Sequence, residues 1–174
     1  DTRSKLVQRL LAASPDLPAF INDLITAQAV SVAGTEAVGF LLEKKDQEVF
    51  LKLLAHVRPD GAAENVRQQA IGAFQELVKP CLDQQKDGAI EVGPAGEGET
   101  QFCLVTLLRS ETTIIGVSAV ITKCLDTERA KQRLMSMQLV AGYFEMFTLK
   151  RNTEQSRAIA ISHQHVLQAA TSVA

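Results

Sequence analysis

The 174-residue chain lacks a charge excess of either sign: 18 lysines and arginines stand against 20 aspartates and glutamates, for a formal net charge of -2. That balance supplies no basic field for a phosphate backbone, so nucleic acid is not an expected partner. Long apolar runs are missing as well. No stretch reaches the roughly 18 residues that a membrane span needs, and no membrane contact is expected of this segment. The N-terminus shows no apolar region of the signal-peptide kind, and the chain begins at Asp1 without a methionine, as a processed protein or a piece of a longer polypeptide would. Cysteine is sparse and odd in number, at positions 81, 103 and 124 only. The wide spacing, and the position of Cys103 inside an apolar stretch, argue for reduced, buried thiols acting as small hydrophobes in a cytoplasmic setting. Repeats and low-complexity segments are absent. At this length one domain can bury a core without cross-links.

Recognisable chemistry is equally scarce. Gly93–Glu99 is glycine-rich, yet it has neither the lysine nor the Ser/Thr of a phosphate loop and does not open onto a helix, so it reads as a loop, the natural place for a lid. His163 and His165 stand two apart on a helical stretch and point in different directions, so they cannot make the paired metal site that residues four apart could. Met135, Met137 and Met146 read as filling a core. No Ser, Cys or Thr occupies a familiar nucleophile setting, and only a triad assembled in space stays open. The expectation is a protein without catalysis or metal.

What the chain does have is a pair of apolar, β-branched runs, Phe102–Leu108 and Ile114–Ile121, split at Arg109-Ser110-Glu111-Thr112 and the Thr113 that follows. They read as a central hairpin. A helix follows from Asp126, where Asp126 or Thr127 can cap the first amides, and it continues to Ala174 with no proline and Gly142 as the only glycine. Apolar residues are dense from Leu134 to Leu149. Beyond Lys150 only a weak seam remains, made of Ile159, Ser162, Val166, Ala169 and Val173. Upstream, Ser4–Ala13 reads as a helix. A second helix carries Phe20, Ile21, Leu24, Ile25 and Gln28 on one side and stops at Gly34. Glu36–Lys44 and Glu48–Arg58 make a first hairpin. In its second strand, simple alternation puts Val49, Leu51, Leu53, Ala55 and Val57 on one face and Phe50, Lys52, Leu54, His56 and Arg58 on the other. Ala63–Gln85 is a helix that Pro80 should kink or end near Lys79, and Ala89–Val92 is a short strand.

This order predicts an α+β fold: a single antiparallel sheet of about five strands, N- and C-terminal helices on one face, and a helix and loop on the other. The divisions are residues 1–16 as an N-terminal helix, 17–150 as the domain, and 151–174 as a helical extension. Over Leu17–Phe147 the chain resembles a GAF domain. The resemblance rests on the helix before Glu36-Ala37-Val38-Gly39-Phe40-Leu41-Leu42, the central helix with its long loop, and Val105-Thr106-Leu107-Leu108. To these it adds Ile114-Ile115-Gly116-Val117-Ser118-Ala119-Val120, which is similar to the family's hydrophobic-Gly-Val strand before the last helix. A PAS domain has a similar sheet and is the alternative. The resemblance implies a small-molecule-sensing or dimerising module that relays its state along its terminal helices, with a pocket on the sheet face away from them. It names no cofactor. The cysteine setting of tetrapyrrole-binding members is missing, and so is the Asn-Lys signature of cyclic-nucleotide binders.

The expected ligand site is Phe50, His56, Arg58 and Ser118 under Phe74. His56 and Arg58, with Lys52, suit a polar or anionic ligand. Gly116 beside Ser118 leaves room for either a ligand or a packing helix. Two other readings stay open. One is a purely structural dimerisation module. The other is a cysteine-dependent enzyme similar to methionine sulfoxide reductases, from whose pattern the cysteine spacing departs. A homodimer through the terminal helices is expected, with Met135, Leu139 and Met146 left over for the partner.

Overall fold

The computed structural model describes residues 16–58 and 64–173, so the helix expected at Ser4–Ala13 lies outside the described residues. Helix α1 (Leu17–Ser31) begins behind Asp16 with Pro18 in its first turn, where a missing N–H is no loss. It closes with the Gly34 N–H donating to Ala29 O at 2.7 Å and the Ala33 N–H to Val30 O at 3.5 Å, while Ala33 takes a left-handed φ of 52°. The left-handed residue is thus Ala33. Gly34 must be small for a different reason, because a Cβ there would lie 2.3 Å from Val120 Cγ1.

Strands β1 (Glu36–Lys45) and β2 (Glu48–Val57) turn through Asp46 and Gln47, both at positive φ, the two-residue geometry whose twist matches paired strands. Helix α2 (Glu64–Gln84) runs through Pro80 rather than ending before it. Proline removes one helical hydrogen bond, and here the next residue, Cys81, is buried against the sheet, so packing holds the last turn in place. Strands β3 (Gly88–Gly96), β4 (Glu99–Ser110) and β5 (Thr113–Cys124) complete the sheet. The Gly93–Glu99 stretch is therefore not a loop or lid. Most of it is strand, closed by a tight turn at Glu97 and Gly98, both at positive φ. Pro94 and the irregularities around it are tolerated because β3 is an edge strand. Helix α3 (Thr127–Val173) starts where Asp126 Oδ1 accepts the Arg129 N–H at 2.8 Å.

The sheet order is β2-β1-β5-β4-β3, with every neighbouring pair antiparallel. Helices α1 and α3 cover one face, where Phe20, Ile21, Leu24, Leu104, Val120, Met137 and Phe144 are buried together, and the Phe20 ring stacks 4.1 Å from that of Phe147. Helix α2 covers the other, with Phe74 and Val78 buried against Val38, Phe40, Val105 and Val117. Strands β4 and β5 are thus buried on both sides, which is why they read as nearly continuous apolar runs. At Gly116 neither expected occupant is needed: a Cβ would stand 2.7 Å from the carbonyl oxygen of Phe40 on the adjacent strand.

Candidate functional site

One irregularity in β2 decides which side chains meet. The β1–β2 register passes from Gly39↔Ala55 to Phe40↔Leu53 and leaves Leu54 unmatched, a bulge that interrupts the alternation. Before it, Leu51 and Leu53 pack on the α2 side; after it, Ala55 and Val57 belong to the core under α1 and α3. Counting from either side, His56 and Arg58 face α2, and Phe50 does not share their face. Phe50 is 48% exposed near the hairpin end, opposite Glu43. The single face that alternation gave to Val49, Leu51, Leu53, Ala55 and Val57 is therefore two half-faces joined at Leu54.

On the α2 side, a cavity of about 430 Å³ lies between the helix and one end of the sheet. Its polar wall consists of Thr35, Glu36, Arg58 and Gln101, and its apolar wall of Ala70, Ala73, Phe74, Leu77, Val92 and Ile121. Arg58 and Phe74, both expected from the sequence, line it. His56 stands just behind. Its side chain is 2% exposed and its Nε2 is 2.6 Å from Glu36 Oε1, so it positions the carboxylate that faces the cavity. Arg58 makes no hydrogen bond or ion pair among the described residues. Glu36, Gln101, Val92 and Ile121 were not singled out in the sequence. The available signal was topological: Glu36, Gln101 and Ile121 sit near strand ends that the order β2-β1-β5-β4-β3 brings to one end of the sheet, and Val92 lies on the neighbouring edge strand.

Ser118 lies on the opposite face. It is fully buried, and its Oγ is 2.5 Å from Thr106 Oγ1. Gln28 of α1 donates from Nε2 to Thr106 Oγ1 at 3.0 Å and to the Met137 carbonyl at 3.1 Å. The serine thus belongs to a polar joint linking α1, the two central strands and α3. A second joint is made by Arg133 of α3, whose Nη1 donates to Thr122 Oγ1 at 2.6 Å, Lys123 O at 2.8 Å and Val32 O at 3.1 Å.

The three thiols are free and buried, as the sequence suggested, but they do not gather. Cys81 of α2 and Cys103 of β4 lie in the core between that helix and the sheet, and Cys124 lies in the core on the other face. Burial pushes the Cys103 thiol from its ordinary 9.0 up to about 12, with Cys81 adding to the effect. Burial likewise raises Cys81, helped by Asp87, and Cys124. A nucleophilic cysteine needs the reverse shift. An aromatic disulfide reagent at pH 8 is expected to find none of the three in the folded protein and all of them in denaturant. Reaction of any thiol at the rate of free cysteine would revive the enzyme reading. The same burial has a pH consequence. Between about 9 and about 12 the unfolded chain releases the Cys103 proton and the folded chain keeps it, so this contribution to stability is full below pH 9 and declines as pH rises.

Among the described residues no group of three or more His, Cys, Asp or Glu could hold a metal ion, and no helix is long and apolar enough to cross a membrane. By sequence, the chain matches no family model and no curated protein. Solved structures do match. The GAF domain of A. aeolicus nlh2 in an inactive state superposes with a TM-score of 0.59 at 7% identity, covering 86% of this chain and 96% of that one. The GAF domain of the Acinetobacter phosphoenolpyruvate-protein phosphotransferase gives a TM-score of 0.52 at 14% identity, over 88% and 93% of the two chains. The chain has a GAF-like fold. This is the expected α+β architecture, with the GAF-like fold that the resemblance implied. An N-acylhomoserine lactone dependent LuxR family transcription factor from Burkholderia cenocepacia also matches, with a TM-score of 0.52 at 11% identity over 84% of this chain and 96% of that one.

Proposed function

We propose that this GAF-like chain is a non-catalytic regulatory domain that binds a small molecule in the α2-side cavity and passes the bound state to α3 within a parallel homodimer. The observation that carries the reading is the cavity itself, where an arginine with no partner among the described residues and a positioned carboxylate share one rim with an apolar floor. Ligand pockets are commonly of this kind, mostly apolar with a few convergent polar groups. The dependence of one neighbour of this fold on an N-acylhomoserine lactone supports a ligand-binding role. The coupling would run through the central strands. Gln101 and Ile121 touch the cavity, while Thr106, Ser118 and Thr122 on the same two strands hold α1 and α3 from behind.

The dimer is supported by helix α3. Met135, Leu139, Met146 and Leu149 are exposed, and with Gly142 they recur at intervals of four, three, four and three residues. At about 100° per residue this stripe lies opposite the buried face of Met137, Val140, Phe144 and Phe147. It has the spacing of a coiled-coil seam. Glu145 and Lys150 flank it five residues apart, the offset at which opposite charges meet across a parallel pair of helices. A second copy of the chain is the occupant that fits both features. The side chains of the more distal seam at Ser162, Val166, Ala169 and Val173 lie outside the described residues.

A thermal-shift screen of small metabolites tests the ligand half of the proposal. A binder present at 100 times its dissociation constant is expected to add about 2.7 kcal/mol, and Ala73→Trp, which places an indole at the cavity mouth, should abolish the gain. If no compound stabilises the protein, the structural dimerisation reading replaces the sensory one.

A further inference from the structure

Resting on the cavity reading above, we infer that its ligand is a small zwitterion, an apolar α-amino acid or a molecule built like one. Ala37 pairs with Val57 at the end of β2, so Glu36 on β1 and Arg58, the first residue past β2, are the next positions outward, and both line the same cavity. Such cross-strand neighbours stand about 5 Å apart at Cβ, close enough to pair. They do not pair. Glu36 Oε1 is engaged by His56 at 2.6 Å, and Arg58 has no partner among the described residues. The rim therefore offers a cation and an anion side by side.

A ligand carrying only a carboxylate would gain charge-assisted hydrogen bonds from Arg58 but would bring its charge beside Glu36. A ligand carrying only an amine would meet the converse problem. A molecule with both groups on one carbon satisfies both, its carboxylate on Arg58 and its ammonium on the Glu36 oxygen that His56 does not take. Behind this pair the walls are apolar, with Phe74, Leu77 and Ile121 able to cover an aliphatic or aromatic side chain. At about 430 Å³ the space lies toward the small end of ligand pockets, which run from about 300 to 1,000 Å³, and this suits a compact molecule.

Isothermal titration of the whole chain with three probes tests the inference: L-leucine, 4-methylpentanoate, which lacks the amine, and 3-methylbutylamine, which lacks the carboxylate. Leucine is expected to bind at least tenfold more tightly than either one-headed analogue. Arg58→Gln should weaken leucine at least tenfold. Glu36→Gln, whose amide oxygen still reaches His56, should do the same and narrow the gap between leucine and 4-methylpentanoate. Unchanged melting temperatures would show that both variants fold. Equal binding of an analogue, leucine binding that ignores both variants, or no leucine binding would each overturn the inference. If leucine fails but some other compound stabilises the wild type and not Ala73→Trp, the ligand class falls and the cavity reading stands. If no compound does so, both fall.

Discussion

Light scattering at micromolar concentration is expected to show the chain as a dimer, and Leu139→Glu combined with Met146→Glu as a monomer. Both positions are exposed, at 77% and 55%, so the charges cost the isolated subunit little. In a dimer they would sit on a closed seam, where each glutamate faces its own copy and loses water. A rise in dissociation constant of about a thousandfold, roughly 4 kcal/mol, is the expected scale. Orientation has its own test. Lys150→Glu should weaken the dimer by placing it against Glu145 of the other helix, and adding Glu145→Lys should restore it. A chain ending at Lys150 is expected to remain dimeric, since the stripe from Met135 to Leu149 is intact. A wild-type monomer would defeat the proposal, and a dimer indifferent to Leu139 and Met146 would move the interface elsewhere.

The largest loss of stability is expected from Gln28→Ala. Gln28 is fully buried, and its amide nitrogen ties Thr106 of β4 to the Met137 carbonyl of α3. Truncation leaves a cavity and strips both acceptors of a donor. Together these should cost about 3 kcal/mol, or roughly 10 °C in melting temperature for a domain of this size. Gln28→Met is the informative companion. It keeps nearly the same volume and removes Oε1, a buried acceptor with no partner among the described residues, but it strips the same two acceptors of the Nε2 donor, so an intermediate loss of about 1 to 2 kcal/mol is expected. Chemical denaturation of the three proteins measures both differences. Equal, small losses would show that the amide is not a joint. If the joint also carries signal, Gln28→Met should leave ligand binding intact while altering self-association.

The GAF-like fold was legible because its signals are local or periodic. Two β-branched runs split by five residues can hardly avoid becoming neighbouring strands, and burial on both faces is what makes them apolar throughout. The α3 helix was legible from the absence of proline, and its leftover residues from simple helical counting. Each error came from a feature without a local signature. Glycine and proline between Gly93 and Gly98 are as typical of a loop as of a bulged edge strand, and only the pairing of β3 with β4 distinguishes them.

The candidate site divided along the same line. Arg58 and Phe74 carry chemistry and bulk that stand out in the sequence, and the structure seats both at the cavity. Phe50 was grouped with them by strict alternation, which a single unmatched residue at Leu54 breaks. Ser118 was assigned to the pocket because a small polar residue in a central strand reads alike on either face; the face is set by which helix packs there, and Gln28 on α1 is seventy-eight residues from Thr106. Glu36 gained significance only when the antiparallel pairing set it beside Arg58 and His56 engaged it. Composition and periodicity determined the elements and their order, since those depend on neighbours a few residues away. Register, the bulge and the choice of face decided which side chains meet, because these depend on contacts between residues far apart along the chain.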